Sequence, residues 1–213
     1  VAWCWKAGTS FSNDASATSI GSIDSSGSAS DTAGFSIVSY TGTGTAGTIK
    51  HGLSSAPLIT CIKQTSSGGT GSGAWNFITY QIDGTSDELT LNGTGAKADR
   101  SITAPTTSVF SVDTSDERND SSQTYICYTF AEKQGFSKFG KYTGNGNADG
   151  AYVHLGFSPA YVMIKQSSTS GEGWHIFDNK REGYNVDNDP LVANTSGAEG
   201  TSDMIDLLSN GFK

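Results

Sequence analysis

Apolar and polar residues alternate in short bursts along this chain, and small-residue stretches separate the bursts. Phe35-Ser-Ile-Val-Ser-Tyr40, Pro57-Leu-Ile-Thr-Cys-Ile-Lys63, Trp75-Asn-Phe-Ile-Thr-Tyr80, Leu89-Thr-Leu91, Val109-Phe-Ser-Val112 and Thr124-Tyr-Ile-Cys-Tyr-Thr-Phe130 all show it. A period of two with aromatic and β-branched residues predicts strands buried on at least one face. In the last run, Tyr125, Cys127 and Thr129 fall on one face and Ile126, Tyr128 and Phe130 on the other. Pro57 opens its run, the position a strand tolerates.

The same order then recurs. Tyr40-Thr-Gly-Thr-Gly44 returns as Tyr142-Thr-Gly-Asn-Gly146, and each copy follows a Gly-Phe-Ser. Tyr40 to Tyr142, Pro57 to Pro159, Lys63 to Lys165 and Asn92 to Asn194 are each separated by 102 positions. Trp174-His-Ile-Phe177 matches Trp75–Ile78 after a loop three residues shorter. A constant offset with variable loops marks a duplicated unit on a common scaffold. The expectation is an all-β chain of two tandem sandwich-like units of about 100 residues each. Residues 34–134 form the first unit and 135–213 the second. Residues 1–33 hold a leading strand and a linker.

The second unit stops opposite Ser111, without a counterpart of the run 124–130. Val1-Ala-Trp-Cys-Trp5 aligns on Ile126-Cys-Tyr-Thr-Phe130, so it reads as the end of a preceding unit, with Trp3 and Trp5 on one strand face. A unit lacking its closing strand exposes an apolar edge. Two explanations stand. The chain is a piece of something longer, or Val1, Trp3 and Trp5 of one copy complete the second unit of another by strand addition. The first is preferred because strand addition is the rarer arrangement. Residues 9–33 are almost wholly Ser, Thr, Ala, Gly, Asn and Asp, and read as a linker or long surface loop.

Composition narrows the function classes. The chain has 213 residues, 27 of them Gly, with 16% charged and a net charge of −8. No cluster of Lys and Arg exists, which argues against nucleic acid. No apolar run approaches a membrane span. Three cysteines, Cys4, Cys61 and Cys127, cannot all pair within one chain, and the latter two sit in strands as small hydrophobes.

The candidate chemistry is sparse. Asn145-Gly-Asn-Ala-Asp-Gly150 mimics the start of a calcium loop, but Gly156 stands where a bidentate Glu is needed. Asp187, Asn188 and Asp189 are a second acidic loop. Asp83/Asp87 and Asp113/Asp116/Glu117 read as solvated turns. His51, His154 and His175 lie in separate segments with no metal-ligand spacing. No nucleophile elbow or phosphate-binding Gly-Lys-Ser/Thr loop occurs. The expectation is no catalytic residue, no metal and no cofactor. Trp75 and Trp174, equivalent in the repeat, are the aromatic candidates for stacking on sugar rings, against a core role. Tyr40, Pro57, Lys63, Asn92, Tyr142, Pro159, Lys165 and Asn194 are structural anchors of the repeat. Asn92, Asn119 and Asn194 head glycosylation sequons, read as turn residues.

The wording of several segments resembles a repeated β-rich domain of marine bacteriophage and cyanophage virion proteins. They are Val1–Gly8, Ala33–Gly44, His51-Gly-Leu53 with Ala56-Pro57, Phe130-Ala-Glu132, Ser137–Gly140, Tyr142–Gly150, Val162–Lys165, Asp178–Arg181 and Leu208–Lys213. In such proteins the Trp-Cys-Trp-Lys-Ala-Gly segment commonly follows a lectin-like sandwich domain. The resemblance implies a tail fibre or other virion-surface protein, and brings no catalytic residues. The expected function is therefore non-enzymatic and structural, at the virion surface, with attachment to a host-surface glycan. Expected partners are further copies of the chain (a homo-oligomer or fibre, of which a trimer is one form) and other virion proteins. The rival readings are a capsid decoration protein, a self-assembling extracellular filament and a glycan-degrading tail spike.

Overall fold

The computed structural model describes residues 2–71, 73–181 and 189–213. The chain is all-β and antiparallel throughout its named strands. Its elements run β1 (Thr9–Asn13), α1 (Ala15–Thr18), β2 (Ser25–Ser30), β3 (Phe35–Thr41), β4 (Gly47–Lys50), β5 (Ile59–Gln64) and β6 (Trp75–Thr79). They continue through β7 (Ser86–Thr90), β8 (Ala98–Arg100), β9 (Val109–Val112), α2 (Asp116–Asn119), β10 (Thr124–Phe130) and β11 (Val153–His154). The chain finishes with β12 (Tyr161–Lys165), β13 (Trp174–Asp178), β14 (Leu191–Val192), β15 (Leu207–Leu208) and β16 (Gly211–Phe212). Among the described residues no helix is long and apolar enough to cross a membrane.

Eight strands form one central sheet in the order β1-β2-β3-β10-β5-β6-β7-β8. One of its faces carries Val38, Tyr40, Ile62, Tyr125 and Cys127, and the two-stranded β4-β9 ribbon covers it with Ile49, Phe110 and Val112. Tyr40 stacks on Tyr125 at 5.1 Å, and its hydroxyl donates to the Arg118 carbonyl at 2.6 Å. The opposite face carries Ile59, Cys61, Phe77 and Leu89, packed against Trp174 and Met163 of the β12-β13-β14 sheet. The other side of that sheet, through Val162, Ile164 and Phe177, meets Leu207 and Phe212 of the β11-β16-β15 sheet.

The motif Tyr40-Thr-Gly-Thr-Gly44 is a backbone device. A Cβ on Gly42 would lie 2.2 Å from the Asp120 carbonyl oxygen, and Gly44 has φ +72°. Gly146, at the matching place in Tyr142-Thr-Gly-Asn-Gly146, has φ +67°. Only glycine adopts such values readily.

Two parts of the sequence reading are corrected. Residues 9–33 are not a linker: β1 and β2 extend the central sheet from β3, with Thr9–Asn13 opposite Ser25–Ala29. Serine has no strong strand signal, but here the serines of β2 pair along the hydrophobic β3 and those of β1 pair along β2. Residues 2–8 and 138–142 form no strand. Phe136 is 59% exposed, and Ser137 makes only an isolated bridge to Lys133. Without a neighbour on which to pair, the alternating run at 2–5 stays irregular, whatever its local preference; in the second segment Phe136, Phe139 and Tyr142 fall every third position, which is no strand period.

The anchors Pro57 and Pro159 are buried, while Lys63 and Lys165 are half-buried at the ends of β5 and β12. Asn92 Oδ1 accepts from the Trp75 amide at 2.9 Å, and Asn194 Oδ1 accepts from the Trp174 amide at 2.9 Å. The tyrosine anchors diverge. Tyr40 is 3% exposed, whereas Tyr142 is 44% exposed and sits edge-on to Phe212.

Candidate functional site

Cross-strand partners share a sheet face, so the pairing register gives the inward rows of the central sheet. One row reads Ser10, Ser28, Ile37, Tyr128, Cys61, Phe77, Leu89. The next reads Ser12, Ser26, Ser39, Ile126, Lys63, Trp75. Both rows change from hydroxyls at β1-β2-β3 to aromatic and aliphatic groups at β5-β6-β7. The apolar end lies under β12 and β13; the serine end is open. Ser10, Ser12, Ser26 and Ser39 are exposed, and Ile37 and Ile126 are half-buried.

Over this open half runs a shallow groove of about 470 Å³, lined by Ser10, Phe11, Ser26, Gly27, Ser28, Ile37 and Ser39, its exposed surface mostly carbon. Gly27 lets β2 approach β3 closely, because a Cβ there would lie 2.2 Å from the Ile37 carbonyl oxygen. On the same face stand the half-buried Trp75 and Tyr128, stacked at 6.1 Å with 18° between their planes. The groove itself combines hydroxyls with aromatic and aliphatic carbon from Phe11 and Ile37, while Trp75 and Tyr128 pack against the neighbouring core cluster. It has the groups to hydrogen-bond a polyol and to pack on its C–H groups.

The two tryptophans part company. Trp174 is 3% exposed, its ring 4.9 Å from Phe77, and its Nε1 donates to the Thr90 carbonyl at 2.9 Å. It cannot stack on a sugar, and the reading of Trp174 as a ligand platform is withdrawn. Its place in the core comes from the facing sheet, which periodicity along one strand does not reveal. Trp3 and Trp5 pack on Tyr161 at 5.4 and 5.8 Å, and Trp5 also meets Phe35 and Phe130. Val1, Asp187 and Asn188 lie outside the described residues.

The acids are less solvated than the sequence suggested. Asp87 is fully buried on β7, and Lys97 Nζ lies 2.5–2.7 Å from oxygens of Asp83, Asp87 and Asp99. Hydrogen bonds from Lys97, then from Thr85, hold the Asp83 carboxyl well below its usual range, and the carboxylates raise Lys97 in turn. These three carboxylates are the donor set that could hold a metal among the described residues, with oxygens within 4.8 Å of one another. The Lys97 ammonium already occupies the cation position, so a divalent ion would have to displace it.

On the other sheet face, Arg118, 2% exposed, pairs with Glu88 and, at 2.8 Å, with Asp113, while Arg100 reaches Glu88 at 2.9 Å. This network fastens α2 onto the sheet. It makes Asp113 a structural partner rather than a loop acid.

Asn119 is fully buried. Its Nδ2 donates to the Thr45 and Asp113 carbonyls, and its Oδ1 accepts from Thr43 N–H. The loop 145–149 is held by side-chain turns from Asn145 and Asn147. With Tyr142, Met204 and Phe212 it borders a second hollow of about 200 Å³.

No curated protein and no solved structure matches the chain. The family described as "Domain of unknown function (DUF7483)" matches residues 1–213 in full. The chain thus belongs to the DUF7483 family.

Proposed function

We propose that this chain is a non-enzymatic β-scaffold of a virion surface, a tail fibre or appendage module, which attaches to glycan through the open half of its central sheet. The observation that supports the reading is the groove of about 470 Å³ over Ser10, Ser26, Ser28, Ile37 and Ser39, on the same face as the stacked Trp75 and Tyr128. Polar ligands with apolar C–H faces suit a surface of few, placed hydroxyls beside aromatic carbon. The virion location rests on the resemblance of the sequence to marine phage proteins. A net charge of −8 favours a neutral or cation-bearing glycan over a polyanionic one.

The test is binding of the purified chain to an array of bacterial surface polysaccharides, beside Ser28→Leu and Ser39→Arg variants. Selective binding by the parent chain, lost in both variants with the fold intact by circular dichroism, is the expected result. Binding that survives both substitutions, or none to any polysaccharide, contradicts the reading.

A further inference from the structure

The hairpins β5-β6 and β12-β13 pair in the same register. Lys63 faces Trp75 as Lys165 faces Trp174, and Ile59 faces Thr79 as Tyr161 faces Asp178. The next strand repeats too: Phe77 faces Leu89 as Ile176 faces Leu191. The hairpins differ on their other edge. β5 pairs there with β10, Phe130 opposite Ile59 and Tyr128 opposite Cys61. Among the described residues β12 pairs with β13 alone. An unpaired strand edge is a template for another strand.

The segment whose side chains match β10 lies beside that edge. Ala2, Trp3, Cys4 and Trp5 correspond in order to Cys127, Tyr128, Thr129 and Phe130. The first and third are small, the second and fourth aromatic, in both. The Trp3 and Trp5 rings already rest on Tyr161, at 5.4 and 5.8 Å. The arrangement is unfinished: residues 2–8 make no ladder, and Trp3 Nε1 is buried without an acceptor.

We propose that the free edge of β12 is a strand-docking site whose occupant is Ala2–Trp5 of the same chain, paired antiparallel as β10 pairs with β5. The register puts Trp5 opposite Tyr161, Cys4 opposite Val162, Trp3 opposite Met163 and Ala2 opposite Ile164. Cys4 and Ala2 then face the core of Val162, Ile164 and Phe212, as Cys127 faces its own core. The indoles lie on the side of Met163. A segment already touching Tyr161 is present at an effective concentration of order millimolar, so it outcompetes a second copy at micromolar protein.

Thr65 donates to the Thr124 carbonyl across the β5-β10 edge at 2.8 Å. Alternation from that bond makes Thr60–Thr129 a non-hydrogen-bonded pair, the close-approach kind that accepts a disulfide. Val162 and Cys4 hold the same positions in the proposed pair. Under mild oxidation, the Val162→Cys variant is expected to form an intramolecular disulfide between Cys4 and the introduced thiol, at a rate independent of protein concentration. Met163→Cys, on the opposite face, is expected to give none. A link between two copies would assign the edge to a second chain, and equal linking in the two variants, or none, would remove the register; each overturns the proposal.

Hydrogen exchange on the unsubstituted chain guards against a folding failure of the variants. The β12 amides pointing away from β13 should be protected, and should lose protection in Trp3→Asp/Trp5→Asp. Fast exchange of those amides in the parent chain overturns the proposal as well.

Discussion

Burial sets the chemistry of single side chains here. Cys61 and Cys127 are buried, burial pushes the Cys61 thiol up to about 12, and Cys127 is also raised well above its ordinary value. Cys4 is exposed. A disulfide reagent at pH 8 should therefore leave Cys61 and Cys127 unmodified in the native chain and modify three thiols per unfolded chain; native-state labelling of Cys61 or Cys127 would contradict this burial. His51 gives a pH signature. It is fully buried, accepts from the Leu53 amide at Nδ1 and faces the Thr106 carbonyl through Nε2 at 3.1 Å, which together fix the neutral tautomer. Burial lowers its pKa from 6.5, despite smaller upward effects from the Thr106 carbonyl and Asp31. The unfolded chain thus takes up the proton first. The contribution is complete above about pH 6.5 and is lost as pH falls through that value towards the folded pKa. Urea midpoints between pH 7.5 and 5 should fall for the parent and stay flatter for His51→Gln; parallel curves would exclude His51 as the cause. The alternation around Cys61 and Cys127 made their burial legible in the sequence. The fate of His51 was not legible, because its partners lie in the turn around Leu53 and the distant segment at Thr106.

At the level of elements, strands with aliphatic or aromatic alternation were legible, and so were the spacings of Lys63, Asn92, Lys165 and Asn194. β1 and β2 were not, because a serine-rich strand owes its pairing to a neighbour rather than to its own side chains. The run Phe136–Tyr142, which aligns with Phe35–Tyr40, is the converse case: its apolar residues Phe136, Phe139 and Tyr142 recur every third position, and it forms no strand. The sequence also could not say which half of the central sheet would be covered. Trp174 decides that, joined by backbone bonds from Lys97 N–H to the Ser167 carbonyl at 2.9 Å and from Gly171 N–H to the Thr94 carbonyl at 3.0 Å. Trp174→Ala should cost about 3–5 kcal/mol in chemical denaturation. The half-buried Trp75→Ala should cost roughly 1–2 kcal/mol. Equal losses would contradict the difference in burial between the two rings. Arg118→Ala leaves Glu88, 5% exposed, without its buried cation. It should cost about 3–5 kcal/mol, and a near-neutral result would mean that Arg100 and water suffice for Glu88.

Across the whole molecule, one sheet has two differently finished sides. The side at β4-β9 is sealed by Ile49, Phe110 and Val112. The other is sealed over β5-β6-β7 and open over β1-β2-β3, where Ser10, Ser12, Ser26, Ser28 and Ser39 surround the half-buried Ile37. Large exposed apolar patches call for a partner; a shallow surface of hydroxyls around aliphatic carbon suits a ligand with both polar and C–H faces. Mapping by amide NMR, with a bacterial surface polysaccharide selected on the array titrated into the chain, tests this most directly. The account predicts shifts centred on Ser10, Phe11, Ser26, Ser28, Ile37 and Ser39, with the buried Trp174 indole still. Shifts centred on Tyr142, Asn145, Asn147 and Met204 instead, or none at saturating polysaccharide, would contradict it.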